Sequence, residues 1–362
     1  MKAVYALIMT AGLLYAGTAT QADVFNMGVG LTSLEVVTVG NPVNAGELSG
    51  AGAGGYGPDR ICGAVNYVYN IGKYQVTAGQ YTEFLNAVAD ADTYGLYNSD
   101  MWSHTYGCKI ERSGTSGSYT YSVAADWANR PVNYVSWGDA ARFANWLHNG
   151  QPTGAQGLST TEDGAYYLNG ATSDAALLAV SRKAGWKWAV TSEDEWYKAA
   201  YHKNDGATGN YFDYPTGSDT APGYVNDSGN LSGTGNPFIE GGTDPGNYAT
   251  YDSDDGTYGT GSPYYRTIVG EWEHSDGPYG TFDMGGGVWE WDEAILYASY
   301  RGLRGGSFSS GGAEYLHASG RYIGNPSSDS IHFGFRLSEV PEPASMALLV
   351  LGGLGLVRRR RA

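Results

Sequence analysis

The segment 283–291, with the sequence DMGGGVWEW, contains residue types that could bind a hard cation. Asp283 and Glu290 lie on either side of three consecutive glycines, and two tryptophans flank Glu290. Glycine adopts positive φ angles at little cost, so this turn could bring carboxylates and free carbonyl oxygens together, and Ca²⁺ prefers such oxygen ligands. The alternative is a tight turn leading into a strand, with Glu290 paired to an arginine, because a carboxylate between indole rings needs a partner.

The composition of the 362-residue chain favours a loop-rich fold and excludes a nucleic-acid partner. Glycine (55) and tyrosine (30) are abundant and charged residues make up only 16%, which is typical of an irregular structure with aromatic patches. The formal charge of −16 would repel a polyanion and attract divalent cations. The long polar region 205–265 contains Asp252, Asp254 and Asp255, which form either a solvated acidic loop or another cation site.

Residues 1–22 have the pattern of a secretory signal peptide, in which Lys2 precedes the apolar run 3–16 and small residues follow. A short buried helix is the alternative. Export takes a protein into an oxidising compartment, where the only two cysteines, Cys62 and Cys108, could form one disulfide. The sequence does not show whether these cysteines are close, and they do not resemble a metal-binding motif.

The C-terminal segment 340–362 carries a second targeting pattern. Pro-Glu-Pro at 341–343 precedes an apolar run at 344–357 and four arginines at 358–361. The apolar run is shorter than the roughly 20 residues that usually span a bilayer. Together these features resemble the PEP-CTERM sorting signal of Gram-negative bacteria. That resemblance implies handling by an exosortase, membrane contact through this segment before processing, and a final location in the cell envelope, at the outer surface or in the extracellular matrix.

Capping residues and apolar spacing predict three helices in the body of the chain. Thr77 precedes apolar residues at helical spacing, Ser136 precedes a similar run with Asp139 at its third position, and the pair Thr191–Ser192 precedes an acidic first turn. No internal repeat divides the body. The predicted strands are Val36–Val39, Val65–Tyr69 and Trp186–Val190.

The order of the motifs along the chain is more specific than any one of them. The most specific are Trp-Glu-Trp at 289–291, Arg-Gly-Gly-Ser at 304–307 and Gly-Phe-Arg at 334–336. Together with the helix starts before them, they resemble the formylglycine-generating enzyme, or sulfatase-modifying factor, family. The resemblance implies a loop-rich α+β domain related to the C-type lectin fold. We expect this domain at 65–338, preceded by an N-terminal strand or linker region at 23–64.

The resemblance also implies calcium at two sites. Gly287 departs from the family's usual asparagine and loosens the turn that would hold the second site. The implied ligands of this second site are the side chain of Asp283, the backbone oxygens of Gly286 and Val288, and the carboxylate of Glu290. Candidate matches for the first site are Asn247, Tyr248, Asp255 and Tyr258.

Catalysis in this family requires copper held by two cysteine thiolates, five residues apart and shortly after the Arg-Gly-Gly-Ser motif. Counting forward from Ser307 places the two positions at Ser310 and Tyr315. Counting back from the downstream arginine places them at Phe308 and Ala313, because the segment differs in length from that of the family. Neither register offers a thiol.

Copper is therefore not expected as a cofactor. No cysteine follows Cys108, and Cu(I) prefers soft ligands. Ser307 matches an active-site serine of the family, but a serine without the metal cannot carry the oxidation. His317 lies near the vacant positions and is either a remnant polar contact or a surface histidine.

These observations predict a noncatalytic, calcium-stabilised protein of the envelope or extracellular matrix that binds a glycan or a protein. Tyrosine and tryptophan rings offer stacking faces, while acidic and amide groups can bond hydroxyls. The alternative is a divergent oxidase of the same family, performing formylglycine generation or a related oxidation. An iron site would need two histidines and a carboxylate together, and none of the six histidines shows i, i+4 spacing.

Overall fold

The computed structural model describes residues 23–226, 228–234, 236–252 and 258–340. The predicted signal peptide at 1–22 and the sorting segment from 341 onward lie outside these ranges. Within the described ranges, no helix is long and apolar enough to cross a membrane.

Short helices and strands alternate with long irregular connections. The α-helices of the described residues are α1 (Ala78–Val88), α2 (Asp100–Ser103), α3 (Trp137–His148), α4 (Asp174–Leu178) and α5 (Glu193–Tyr201). The β-strands are β1 (Val36–Val39), β2 (Glu47–Ser49), β3 (Arg60–Cys62), β4 (Tyr69–Gly72), β5 (Ile110–Ser113), β6 (Thr120–Val123), β7 (Trp188–Val190), β8 (Trp289–Leu296), β9 (Tyr300–Arg304), β10 (Tyr322–Gly324), β11 (Phe333–Gly334) and β12 (Leu337–Glu339). Short 3₁₀ turns lie at Ala51–Ala53, Ala125–Trp127 and Ala313–Tyr315.

The three predicted helix starts are confirmed, and each is a capping box. In this arrangement the N-cap hydroxyl accepts the backbone N–H three residues on, and the side chain there accepts the N–H of the N-cap residue. Two otherwise unpaired N–H groups are satisfied at each start. The reciprocal pairs are Thr77 with Gln80 in α1, Ser136 with Asp139 in α3, and Ser192 with Glu195 in α5.

Two four-stranded sheets support the rest of the structure. One has the order β1-β4-β12-β7 and is antiparallel throughout. The other has the order β10-β9-β8-β11, in which only β8 and β11 pair in parallel. The strand predicted at Val65–Tyr69 lies instead at β4, because Tyr69 is the first residue to pair with β1. Since β1 belongs to the N-terminal region 23–64, part of that region is built into the first sheet.

Aromatic residues of α1 and α3 form the centre of the core. The ring centroids of Phe84 and Phe143 lie 5.1 Å apart, and those of Phe143 and Phe335 lie 5.4 Å apart. Tyr81 and Trp146 pack against the same group, and all five side chains are buried. Because Phe335 belongs to the Gly-Phe-Arg motif, the core fixes the position of the arginine that follows it.

Candidate functional site

Glu290 is fully buried and paired with an arginine. Its carboxylate accepts hydrogen bonds from Nε and Nη2 of Arg336 at 2.8 and 2.9 Å, and from the indole N–H of Trp196 at 2.7 Å. Arg336 also donates to three backbone carbonyls, including that of Gly72 at 2.7 Å. The arginine partner considered for Glu290 is therefore present, and it ties β8 to β4 and to the chain just before β12.

The side-chain nitrogen of Gln75 lies among the residues that the sequence proposed for the second calcium site. Each of the four residues places an oxygen within hydrogen-bonding distance of Gln75 Nε2, and we call these four oxygens the oxygen cage. The structure thus brings the four residues together around a side chain that the sequence did not single out. The distances from Nε2 are 3.0 Å to Asp283 O, 3.2 Å to Gly286 O, 3.1 Å to Val288 O and 3.0 Å to Glu290 Oε1.

The glycine turn shapes the oxygen cage through positive φ angles. φ is +81° at Gly286 and +67° at Gly287, a region where other residues are strained. A Cβ at Gly286 would also collide with the carbonyl oxygen of Thr250. Gly287 donates its N–H to Thr250 O at 2.8 Å and accepts from the N–H of Phe308 at 2.9 Å. The turn is therefore bonded directly to the loop that follows β9.

The oxygen cage fits Ca²⁺, because backbone carbonyls and a carboxylate are the hard ligands that this ion takes. Asp283 contributes its carbonyl oxygen, whereas its carboxylate accepts from the N–H of Gly270 at 2.7 Å, unlike the side-chain role implied by the family resemblance. Burial raises the pKa of Asp283 to about 6, against the effects of Gly270 and Arg336. Among the described residues, buried Gln75 Oε1 has no hydrogen-bond partner. In the described ranges no three His, Cys, Asp or Glu side chains group to bind a metal, so the cage depends on carbonyls.

The residues matched to the first calcium site make separate contacts. Asn247 Oδ1 accepts from a threonine hydroxyl at 2.6 Å, and the Tyr248 hydroxyl donates to a backbone carbonyl at 2.5 Å. Tyr258 lines a cavity together with Tyr106. Asp255 lies outside the described residues. The first site therefore stays a prediction.

Both cysteines are buried free thiols, so the structure does not contain the disulfide that the sequence left open. Cys62 Sγ accepts from Nη2 of Arg304 at 3.5 Å and of Arg321 at 3.2 Å, whereas Cys108 Sγ contacts the carbonyl oxygen of Asn133 at 3.9 Å. The two thiols are packed in different clusters of the core. Burial raises the pKa of Cys62 to about 12 and also raises that of Cys108, so neither is a reactive thiolate.

A cleft of about 230 Å³ lies beside the Arg-Gly-Gly-Ser motif. An adjoining cavity of about 300 Å³ shares Ser309 and His332 with it. Tyr322 lies at the rim of the first cleft and is 46% exposed. Its ring stacks on that of Trp289, with centroids 5.3 Å apart and planes at 26°. We call the cleft of about 230 Å³, without the adjoining cavity, the Ser-aromatic cleft. Its lining residues are Trp289, Ser307, Ser309, Ser310, Gly311, Tyr315, Tyr322, Ser330, His332 and Phe333.

The polar side chains that line the Ser-aromatic cleft are four serines, two tyrosines, one tryptophan and one histidine. Ser309 Oγ lies 2.9 Å from His332 Nδ1 and 3.3 Å from Ser307 Oγ, and the N–H of Ser307 donates to Ser310 Oγ at 2.9 Å. Burial lowers the pKa of His332 to about 4, and the positive charge of Arg266 acts in the same direction. The imidazole is therefore neutral at neutral pH. Neutral donors and acceptors of this kind suit a hydroxylated, uncharged ligand.

One of the two registers for the family's copper ligands places them in this cleft, and neither register offers a copper site. Counted forward from Ser307, they are Ser310 and Tyr315, and both line the cleft. In the other register, Phe308 lines the adjoining cavity and Ala313 begins a 3₁₀ turn. Hydroxyl oxygens are hard ligands and Cu(I) needs soft ones, so these residues do not fit a copper centre.

Two side chains of the candidate site, His332 and Gln75, were not singled out from the sequence. His317, which the sequence analysis considered, bonds to Ser319 Oγ at 2.8 Å and does not line the cleft. The histidine in the cleft is His332, and its place two residues before the Gly-Phe-Arg motif was the available signal. Gln75 lies two residues before the N-cap Thr77, and this position next to a predicted helix start was its only signal in the sequence. Its burial is known from the structure alone.

Comparisons with known proteins agree with the motifs. A family model described as "Sulfatase-modifying factor enzyme 1-like domain" matches residues 63–340. The PEP-CTERM protein-sorting motif, the signal that an exosortase recognises, matches residues 339–361. No curated protein matches the chain.

Three solved structures resemble the fold at low identity. "Treponema denticola variable protein 1" is 19% identical with a TM-score of 0.49, and the match covers 87% of this chain and 98% of that one. CarF is 19% identical with a TM-score of 0.45 (85% and 99% covered), and PvdO from Pseudomonas aeruginosa is 18% identical with a TM-score of 0.43 (85% and 95% covered). Because the family model spans most of the chain, the protein belongs to the sulfatase-modifying factor family, has its loop-rich α+β fold, and carries a PEP-CTERM signal for export to the Gram-negative cell envelope.

Proposed function

We propose that this protein is a noncatalytic binding module of the envelope or extracellular matrix, which takes a glycan in the Ser-aromatic cleft on a calcium-stabilised scaffold. The observation that carries the proposal is the content of the cleft. Stacked aromatic rings and neutral hydroxyl groups line the cleft, which in the forward register includes the positions matched to the family's copper ligands. Sugar rings present apolar C–H faces and hydroxyl edges, which complement aromatic rings and hydroxyl partners respectively.

The size of the cleft favours a glycan over a protein ligand. The cleft of about 230 Å³ and the adjoining cavity of about 300 Å³ together reach the range of small-molecule sites. A stable protein partner usually buries about 800 Å² on each side, which a narrow cleft of this kind does not provide. Neutral His332 and its hydroxyl neighbours add hydrogen bonds without a charge that would demand an ionic ligand.

The calcium part of the proposal is supported by the oxygen cage and by its contacts with the cleft. Phe308 donates its N–H to Gly287 O at 2.9 Å, and Gly286 donates to Gly305 O at 2.8 Å. These two bonds join the glycine turn to the loop that carries Ser307 and the other cleft serines. An ion held in the cage would therefore stabilise the cleft as well as the fold.

The glycan proposal is tested with a glycan array, followed by calorimetric titration of the best ligand. Tyr322→Ala is expected to lower the affinity about 2- to 12-fold, which corresponds to an aromatic contact of about 0.5–1.5 kcal/mol. Tyr167→Ala is the control, because Tyr167 is 54% exposed and lies outside the cleft. No ligand on the array, or an equal loss in both variants, would overturn the proposal.

The divergent oxidase is tested separately. The purified protein is incubated with Cu(I) and a Cys-X-Pro-X-Arg peptide, and the aldehyde is measured by mass spectrometry. We expect no aldehyde above the control without protein, because the cleft has no thiolate to hold Cu(I). Aldehyde formation would replace the binding role by catalysis.

A further inference from the structure

The side-chain amide of Gln75 has more acceptors near its nitrogen than it has hydrogens to donate, and no donor near its oxygen among the described residues. Its amide nitrogen lies within 3.0–3.2 Å of four acceptor oxygens, although a side-chain amide has only about two N–H hydrogens to donate. At least two of the four oxygens therefore face Nε2 with no hydrogen between them. Within the part of the chain that the structure describes, Gln75 Oε1 is buried without a donor, and the residue is 1% exposed, so bulk water does not compensate.

A cation in the oxygen cage would remove both defects. Turning over the amide group exchanges Nε2 with Oε1 at almost no change in shape. Oε1 would then be a fifth oxygen beside the four of the cage. Five oxygens directed at one point repel each other unless a positive ion lies among them, and Ca²⁺ takes about six to eight oxygen ligands.

We propose that Gln75 is a calcium ligand through Oε1, and that its amide nitrogen takes the place of the ion when calcium is absent. The inference rests on the calcium part of the proposed function. It adds a ligand that lies 208 residues before Asp283 in the sequence and outside the glycine turn. One side chain then serves both states, as a partial hydrogen-bond donor without the ion and as an oxygen ligand with it.

The surroundings of Gln75 favour this exchange. A Cβ at Gly287 would lie 2.7 Å from Gln75 Oε1, so a glycine there leaves the room that the amide group needs to turn. Val76 donates its N–H to Phe335 O at 3.0 Å, and Thr77 caps α1, so the backbone on the C-terminal side of Gln75 is fixed. The ion would accordingly join the start of α1 to the glycine turn.

The test is calorimetric titration of the apo protein with Ca²⁺, with thermal melting in Ca²⁺ and in EDTA. Gln75→Glu is expected to bind Ca²⁺ at least tenfold more tightly than the wild type and to melt lower in EDTA, because its fifth oxygen is charged. Gln75→Met, similar in length but without an amide, is expected to bind at least tenfold more weakly. Gln156→Glu is the control, because Gln156 is a buried glutamine that bonds to Tyr94 and Asp92 outside the cage.

The outcomes separate the two proposals. Tighter binding by Gln75→Glu and weaker binding by Gln75→Met, with Gln156→Glu at the wild-type affinity, support Gln75 as a ligand. If Gln75→Glu does not fold, the neutral Gln75→Met decides alone. Wild-type affinity in the Gln75 variants would refute the ligand while the calcium proposal stands. A wild-type protein that neither binds Ca²⁺ nor melts higher with it would refute both.

Discussion

Replacement of Arg336 by methionine tests whether the buried pair with Glu290 holds the turn in place. The change removes two charge-assisted hydrogen bonds to a fully buried carboxylate and leaves three backbone carbonyls without their donor. Removing one partner of a buried ion pair costs about 3–5 kcal/mol. Since each kcal/mol shifts the melting temperature of a domain this large by about 2–4 °C, we expect Arg336→Met to melt roughly 6–20 °C below the wild type in EDTA.

Calcium should reduce this loss, because the unpaired charge of Glu290 lies at the oxygen cage. In the wild type, Ca²⁺ at a hundred times its Kd adds about 2.7 kcal/mol, or roughly 5–11 °C. In Arg336→Met the ion also compensates the carboxylate that Arg336 leaves behind, so the gain from Ca²⁺ should exceed that of the wild type. The double variant with Glu290→Gln has no charge to compensate and should show the smallest gain.

The assay is thermal unfolding followed by tryptophan fluorescence in EDTA and in excess Ca²⁺. Lys203→Met is the control, because it removes a half-buried partner of exposed Asp219 at 2.9 Å and should hardly change the melting temperature. If Arg336→Met melts within about 2 °C of this control in EDTA, the pair does not hold the turn. If Ca²⁺ stabilises Arg336→Met less than the wild type, the cage and the pair are not coupled.

Three further predictions concern other parts of the molecule. Burial and the charge of Glu193 raise the pKa of Asp292 from 3.8 to about 8. The folded state therefore keeps a proton that the unfolded state releases. The free energy of unfolding falls for this reason as the pH rises from about 4 to 8. Asp292→Asn should raise the melting temperature more at pH 8 than at pH 4, and an equal change at both pH values would contradict the shift. Without reductant, a thiol reagent should find no reactive thiol in the folded protein and two after unfolding, whereas none after unfolding would indicate a disulfide. We expect Cu(I) binding, in competition with a chelator, by the double variant with Ser310→Cys and Tyr315→Cys. The double variant with Phe308→Cys and Ala313→Cys should not bind it. The reverse result would show that the register counted back from Arg321 is the correct one.

Local features of the fold could be predicted from the sequence, and non-local ones could not. The helix start at Thr77 is determined by residues within one turn, so its capping box follows from the sequence. The strand expected at Val65–Tyr69 is displaced to β4, because its limits depend on pairing with β1 and β12. No local pattern contains that information.

The same distinction applies to the candidate site. The four residues of the glycine turn lie within eight positions of one another, and their convergence was predicted from the family resemblance. Gln75 was missed because its place in the oxygen cage depends on contacts across 208 to 215 residues. The pairing of the two cysteines stayed open for a related reason, since Cys62 packs beside Arg304 and Arg321 and Cys108 packs in another cluster. Their exported context alone gave no information on that packing.

The motifs that identify the family stabilise its scaffold, and the residues needed for the oxidation lie elsewhere. Arg304 of Arg-Gly-Gly-Ser pairs with buried Glu193 at 2.6 Å, and Glu290 of Trp-Glu-Trp pairs with Arg336 of Gly-Phe-Arg at 2.8 Å. These pairs hold the loops around the core whatever the cleft contains, because breaking one would leave a buried charge without its partner. The oxidation depends on two other positions, and in the forward register Ser310 and Tyr315 face the cleft without taking part in either pair. A chain can therefore keep every motif and lose the copper site, so the activity of such a protein has to be inferred from its cleft.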